Sequence, residues 1–413
     1  MRRSSVSAKK IHRISDVMPD NTDIKHSSYI SAGYARNQSG ISILMKTQQY
    51  WMQMETFRRD RERNKNYTYG RQWDDMVCVD GRMVKESEQI IAQGNVPLKN
   101  NLIRRMVRSV LGVYSSQQSE PTCTARDRDE QQYSETMSTL LQCNMQLNQL
   151  KELNQRSLEE FLISGFVVYR KWYGWRNNKL DCWTDYVQPN NFFIDSNMRD
   201  FRGWDVSCLG EVHDVSIDEL CGRFGHSPQE VERLKEIYRE ANDKRNIGYA
   251  FEQFGYPLNN RYDFLVPADS SQCRVIEVWQ KEMKPRYRCH DLNTGEVFKI
   301  EVEDYKGMVA DVNANRIREA SAFGIPREEV PLIQAEWFID SFWYFYCLSP
   351  FGDILDEGES PYDHKEHPYV FKAYPFIDGE IHSFTADVID QQRYVNRLIM
   401  MYDWIMRASA KGV

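Results

Sequence analysis

The sequence lacks most of the features from which a function is read quickly. In 413 residues no apolar run approaches the roughly 18 needed to cross a bilayer, so no transmembrane helix is expected. Only 21 glycines and 14 prolines are present, too few for a collagen-like or low-complexity chain. The nine cysteines form no CxxC pair and never come closer than thirteen residues. That spacing predicts free thiols in a reducing compartment rather than a disulfide framework. No apolar core follows Met1-Arg2-Arg3-Ser4-Ser5, so no secretory leader is expected. GxxxxGK[ST], GxGxxG, HExxH and GxSxG are all absent, and with them the best-defined phosphate-binding, metalloprotease and hydrolase signatures.

What is there is an ample stock of core-forming residues: 41% apolar, 13% aromatic, 27% charged, with a net charge of −7. The acidic total argues against a compact domain that grips DNA by neutralising phosphates, but not against a protein that handles DNA without gripping it. Residues 1–40 hold seven Lys/Arg against three Asp, many serines and no helical period, which predicts a flexible basic arm. Leu44, Trp51, Met54 and Phe57 recur at helical spacing until Gly70 offers a left-handed stop. After Pro97, Leu102, Ile103, Met106, Val107, Val110, Leu111 and Tyr114 make one wide apolar stripe. From about Arg128 to Gly165 the pattern predicts a single long helix, a strut more than part of a small enzyme core.

Beyond Gly165 the period changes to two. A hairpin over Phe166–Tyr173 and Lys179–Trp183, a strand at Phe192–Asp195, and helices at Ser216–Phe224 and Ser227–Arg245 follow. Residues 246–272 read as a loop. A second β-rich block has strands at Arg274–Trp279, Tyr287–Asp291 and Val297–Val302, a helix at Tyr305–Phe323, and strands from Leu332 to Leu348. The run Trp337–Tyr346 is apolar or aromatic on both faces in its second half, which predicts a strand covered on both sides, with a neighbouring subunit as one possible cover. A last helix of about 25 residues begins near Phe384. The chain stops just after it, so a longer natural reading frame is expected.

Candidate chemistry is sparse. Asp269 followed by Glu282 and Lys284 has the order with which magnesium-dependent nucleases hold metal and polarise water, but the pattern is short and no further convergent carboxylate is visible. His364 and His367 lack a third ligand at a recognised spacing. Asp195–Asp200 opens like a calcium loop yet lacks Gly at its sixth position and an acid at its twelfth, leaving an Asx-turn as the expectation. Lys284, Arg286 and Arg288, interleaved with Tyr287, form a patch able to contact phosphates or an acidic partner; a charge-protected edge strand accounts for it equally. No metal or cofactor is expected, and no catalytic set.

The order of features resembles the portal proteins of short-tailed bacteriophages. Tyr69-Gly70-Arg71-Gln72-Trp73 is similar to a segment near the start of that family, and an apolar helix follows it at Asn100–Gln117. Further correspondences are the long helix running into a strand at Gln131–Tyr169, Val187-Gln188-Pro189 with Phe192 and Asp195, and Val275-Ile276-Glu277-Val278-Trp279. The end of the chain is similar too: His367-Pro368-Tyr369-Val370, Asp378-Gly379-Glu380, then Asp390-Gln391-Gln392-Arg393 with Asn396. Together these span about residues 65–413.

The resemblance implies an α+β, ring-forming fold: a flexible arm at 1–40, a wing of long helices and a β-layer at 41–272, an inserted stem and clip at 273–350, and a return to the wing at 351–413. It implies no enzyme and no membrane. It implies a homo-oligomeric ring, commonly of twelve subunits, through which double-stranded DNA passes, with terminase, neck or tail adaptor, major capsid and scaffold proteins as partners. On this reading Lys284, Arg286 and Arg288 would meet the partner, Trp337, Phe342, Trp343 and Tyr344 the next subunit, and Trp73, Gln391 and Asn396 would be structural. The nuclease (Asp269, Glu282, Lys284) and another head or neck component are the competing readings.

Overall fold

The computed structural model describes residues 28–410 except 118–119, 196, 201, 240–262, 268, 270, 325, 375 and 378–379. Most of the expected basic arm, the end of the helix expected at Ser227–Arg245 and most of the 246–272 loop therefore lie outside the described residues.

Helix α1 (Ser28–Gln53) starts well inside the stretch expected to be an arm, and α2 (Glu55–Thr68) follows a break at Met54. Gly70 then stops the chain at φ +87°, as a left-handed stop requires. A hairpin not foreseen in the periodicity comes next: β1 (Met76–Val79) and β2 (Arg82–Lys85). Its turn is Asp80-Gly81, both at positive φ, the strongest short hairpin signal. Helices α3 (Glu86–Ala92) and α4 (Leu102–Ser116) follow. The Asn101 side chain caps α4 by accepting from the Arg104 N–H.

The long helix expected over 128–165 is two helices, α5 (Gln131–Leu147) and α6 (Leu150–Ser164), separated at Gln149 with φ +49°. The break has a cause in the next sheet. Strands β3 (Phe166–Arg176) and β4 (Lys179–Val187) form a hairpin whose β4 edge is open. Asn144 and Asn148 both donate to the Cys182 carbonyl, and Asn148 accepts the Thr184 N–H. Two asparagine side chains thus satisfy the open edge, and the helix bends to place them.

A six-stranded sheet carries the rest: β5 (Phe192–Ile194), β6 (Cys208–Val215), β7 (Cys273–Asp291), β8 (Val297–Glu301), β9 (Ile333–Leu348) and β10 (Ile354–Glu359). Its order is β10-β9-β7-β6-β5 with β8 on β7. Strand β6 and helices α7 (Ile217–Phe224) and α8 (228–239) connect β5 to β7, with Ser216 capping α7 through the Glu219 N–H. The two strands expected at 274–279 and 287–291 are one continuous strand that passes through Pro285. Proline is tolerated there because β6 pairs β7 only up to Gln280 and β8 only from Arg286, so no donor is needed at that edge. Helix α9 (Asp311–Ala322) covers one face of the β7–β8 end. Strand β11 (Tyr369–Ala373) joins β3, and α10 (Phe384–Ala410) ends the described chain.

Phe166 and Val168 of the smaller sheet meet Phe192, Phe193, Leu209, Ile276 and Val278 of the larger one in the main core, all fully buried. Each such side chain contributes about 1.5–3 kcal/mol of burial. Gly40 of α1 lies so close to the turn at Gly352 that a Cβ would sit 2.1 Å from the Gly352 carbonyl oxygen. Helix α6 is the hub of the helical layer, touched by α2, α4, α5 and α10.

Candidate functional site

Beyond Gln280, β7 leaves β6 and continues with β9 as a ribbon, two-stranded to Pro285 and joined by β8 from Arg286, in register from Lys281↔Trp343 to Asp291↔Ile333. Residues 273–280 and 344–348 are hydrogen-bonded into the same sheet as β6 and β10, so the part that projects is 281–343. Pleating places Lys284 with Asp340, Arg286 with Phe338, and Arg288 with Glu336 on one face of the ribbon.

That face is the expected basic patch, and most of its charge is matched within the chain. Arg286 donates to Glu301 at 2.8 Å, Asp340 at 3.1 Å and Glu359 at 2.6 Å, drawing on β8, β9 and β10 at once. Burial pulls the Arg286 pKa down, yet these three carboxylates leave it above the ordinary value. Lys284 pairs with Glu301 at 2.6 Å and Lys299 with Asp340 at 2.7 Å. Arg288 lies over the Phe338 ring at 4.8 Å and has no ion pair among the described residues. The opposite face carries Met283, Trp337 and Ile339, all more than half exposed.

The expected subunit-contact residues therefore divide. Trp337 is 54% exposed and available. Phe342 and Tyr344 are half-buried. Trp343 is only 7% exposed, held edge-on by His367 at 4.7 Å with the Lys281 ammonium 5.2 Å above its ring. One face of the aromatic run is covered by this chain itself, Phe345 packing on Trp279 and Trp343 on His367.

Between the two sheets lies an ionic cluster that no motif announced. Glu277 of β7, 6% exposed, accepts from Trp279 Nε1 at 2.8 Å and lies 3.0 Å from His213 Nε2, 3.5 Å from Arg170 and 3.5 Å from Arg223. Burial alone would raise its pKa, but His213, Arg170 and Arg223 hold it well below the usual carboxylate range. Glu211, two residues before His213 on β6, is less well served. Its nearest partners are Arg170 and the His213 ring, each at 3.7 Å, and the Tyr369 hydroxyl donates at 3.5 Å. Burial leaves Glu211 above its ordinary pKa despite His213 and Arg170. Arg170 and Tyr369 come from the smaller sheet and the carboxylates from the larger, so the cluster ties the two together. The signal for it was Glu277 itself, a charge inside an otherwise apolar strand.

Of the expected structural residues, Trp73 and Asn396 are buried and hydrogen-bonded, and only Gln391 is off, by one position. Trp73 is buried and donates to the Leu98 carbonyl at 3.1 Å. Asn396, 1% exposed, accepts the Asn100 N–H at 3.1 Å and donates to Gln72 at 2.6 Å. Its partner on α10 is Gln392, which donates to the Asn100 carbonyl and accepts from Leu102. Gln391 is exposed and belongs to no such network. Beside them Arg393 bonds Asp75 and Glu86, and burial with the adjacent Asp75 pushes the Tyr67 hydroxyl up to about 12.

The nuclease set is not assembled. Asp269 closes a turn by accepting the Ser271 N–H at 2.9 Å. Glu282 sits nine residues into β7, about 30 Å from its start at the rise of a strand. Lys284 is engaged by Glu301. No group of three or more His, Cys, Asp or Glu able to hold a metal occurs among the described residues. His367 is half-buried and its pKa is pulled down to about 4 by burial and by Lys281. Asp195 makes the expected Asx-turn, accepting the Asn197 N–H at 3.0 Å. Among the described residues no helix is long and apolar enough to cross a membrane.

No curated protein matches the chain. The profile of the Phage P22-like portal protein family matches residues 44–412, which is nearly the whole sequence. That span takes in the helical layer, both sheets, the ribbon and α10. Membership assigns a phage portal role, that of a structural component of the virion and not of a catalyst, and removes the ground for the nuclease reading. The chain belongs to the phage P22-like portal protein family.

Proposed function

We propose that this chain forms the ring at one capsid vertex through which double-stranded DNA is packaged and ejected. It would dock terminase during packaging and neck or tail adaptor proteins afterwards, with the major capsid and scaffold proteins around it. The observation that carries this reading is the family match over residues 44–412. On it, residues 41–272 and 351–413 are the wing and 273–350 the stem and clip, of which 281–343 project as the ribbon. Arg288, Trp337, Met283 and Ile339 are the ribbon side chains left open to a partner. A net charge of −7 per subunit suits a conduit, since a strongly basic lumen would hold phosphates and stall the duplex.

The test is solution mass by light scattering, with negative-stain images of the same fraction. Twelve copies of the 48.9 kDa chain predict a particle of about 590 kDa with a central hole, twelve being the common closed count. A compact dimer without a hole would overturn the ring. Replacing residues 283–341, which lie beyond the Glu282↔Phe342 pair, by a short turn should leave the wing folded and abolish adaptor or terminase binding; binding that survives would refute the clip assignment.

A further inference from the structure

The outer part of the ribbon has a hydrophobic core of its own. Cys289, Ile300, Val309 and Ile333 are buried together, and every apolar residue packed on them lies between 287 and 335. Along β7 and β9 the main core stops at Trp279 and Trp343. Of residues 281–285 and 339–342, which run between the two cores, only Asp340 is buried. Over that stretch β7 has left β6, β8 has not yet joined, β10 has ended at Tyr344, and Pro285 has no backbone donor. A two-stranded ribbon twists more than a wider sheet, so this waist is the compliant part of the strand pair. Beside it lies a cavity of about 500 Å³, lined by Glu301, Asp304 and Met308 of the distal unit and by Glu359, Ser360 and Lys365 of the body. Arg286 joins the two sides, donating to Glu359 of β10 at 2.6 Å.

We propose that residues 286–338 pivot on the body at this waist, and that the Arg286–Glu359 pair is the latch that holds one orientation. Two separately packed units joined by two strands provide the rigid parts, and the cavity provides the room. Releasing the latch leaves no buried charge alone. Arg286 keeps Glu301 and Asp340, neither of them on β10, and Glu359, whose side chain is 42% exposed, returns to water. The penalty that makes most buried ion pairs hard to break is therefore absent, and the latch contributes only what a partly exposed pair contributes. Arg288 and Trp337, distal side chains open to a partner, change their angle to the body with the pivot. The hinge lies within one chain and does not rest on the ring.

The test measures the distance between two spin labels in the full chain. Labels carried by keto amino acids at Phe323, 83% exposed on the distal unit, and at Tyr374, 64% exposed on the body, leave the native cysteines unlabelled. Dilution with unlabelled chain keeps the measured pairs within one copy. Glu359→Gln should raise the population of the released orientation about fivefold, the effect of losing one partly exposed ion pair. Taking the wild type from about 0.1 M to about 1 M NaCl, which cuts the screening length from about 10 Å to about 3 Å, should shift the distances the same way. Asp356→Asn removes another exposed carboxylate of β10 and should leave them unchanged. Wild-type distances in Glu359→Gln would overturn the latch. A single narrow distance in every variant and at both salt concentrations would overturn the hinge as well. Should Glu359→Gln fail to fold, the salt series on the wild type decides by the same two outcomes.

Discussion

The larger sheet and the helical layer dispose of their charges in opposite ways. In the sheet, Arg286 has three carboxylates from three strands, and Glu277 has two arginines, His213 and an indole N–H. At the outer edge of the helical layer, the three arginines of α4 are in no ion pair among the described residues and no residue of α5 is buried, although deeper in the layer Glu160 matches Arg61, and Asp75 and Glu86 match Arg393. The first region is matched internally and holds its shape alone. The second has surplus apolar surface and unmatched charge, the signature of a face that is completed by something else. The difference separates what keeps the subunit folded from what makes it assemble.

The comparison is broken most severely at Glu277. Glu277→Ala strands Arg170, Arg223 and His213 between the sheets, and losing one partner of a buried ionic cluster costs about 3–5 kcal/mol. Urea unfolding of the dissociated subunit measures this; a loss below about 1 kcal/mol would mean that water reaches the cluster and that the sheet is not self-contained. Next in size is Asn396→Ala, which leaves Gln72 and the Asn100 N–H unpaired in a buried junction and should cost about 1–3 kcal/mol. Gln391→Ala, one turn away on the open side of α10, is the matched control and should stay within about 0.5 kcal/mol.

These residues also show what the sequence could disclose. Features set by local spacing were legible: the α4 and α10 stripes, the Ser216 cap, the Gly70 stop, the β3–β4 hairpin. The family was legible from the order of short segments, each weak alone. What failed depends on partners far along the chain. Nothing near Gln149 signals a break, because the cause is the open edge of β4, more than thirty residues away. Gln391 and Gln392 are identical in type, and only the direction of Asn100, nearly three hundred residues earlier, decides which is buried. Trp343 looked like an interface residue until His367 was placed on it. The hairpin at 76–85 is local in origin, since Asp80-Gly81 between alternating residues announces it.

Within the larger sheet, pH separates Glu211 from Glu277. Its pKa is raised in the fold, so as pH falls from neutral toward the unfolded carboxylate value of 4.5 the native state takes up a proton before the unfolded state does. Stability from this residue therefore rises over that window and levels off below it. Glu277 has the opposite sign: its contribution is present above the unfolded value and is lost only in strong acid, as pH falls through its depressed one. Glu211→Gln should thus be at least as stable as wild type at pH 7, with the difference shrinking toward pH 5. A difference that grows on acidification would show that Glu211 is held ionised by Arg170.

The smallest expected effect is the sharpest test of the contrast. Leu140→Ser removes a large apolar side chain, a change that costs several kcal/mol in a core. Leu140 is 58% exposed in the single chain, so unfolding of the dissociated subunit should change by no more than about 0.5 kcal/mol. Assembly of the same variant should weaken visibly in sedimentation at equal concentration. A loss of about 2 kcal/mol in the dissociated subunit would mean that this chain already covers the stripe, and the helical layer would then be as self-contained as the sheet.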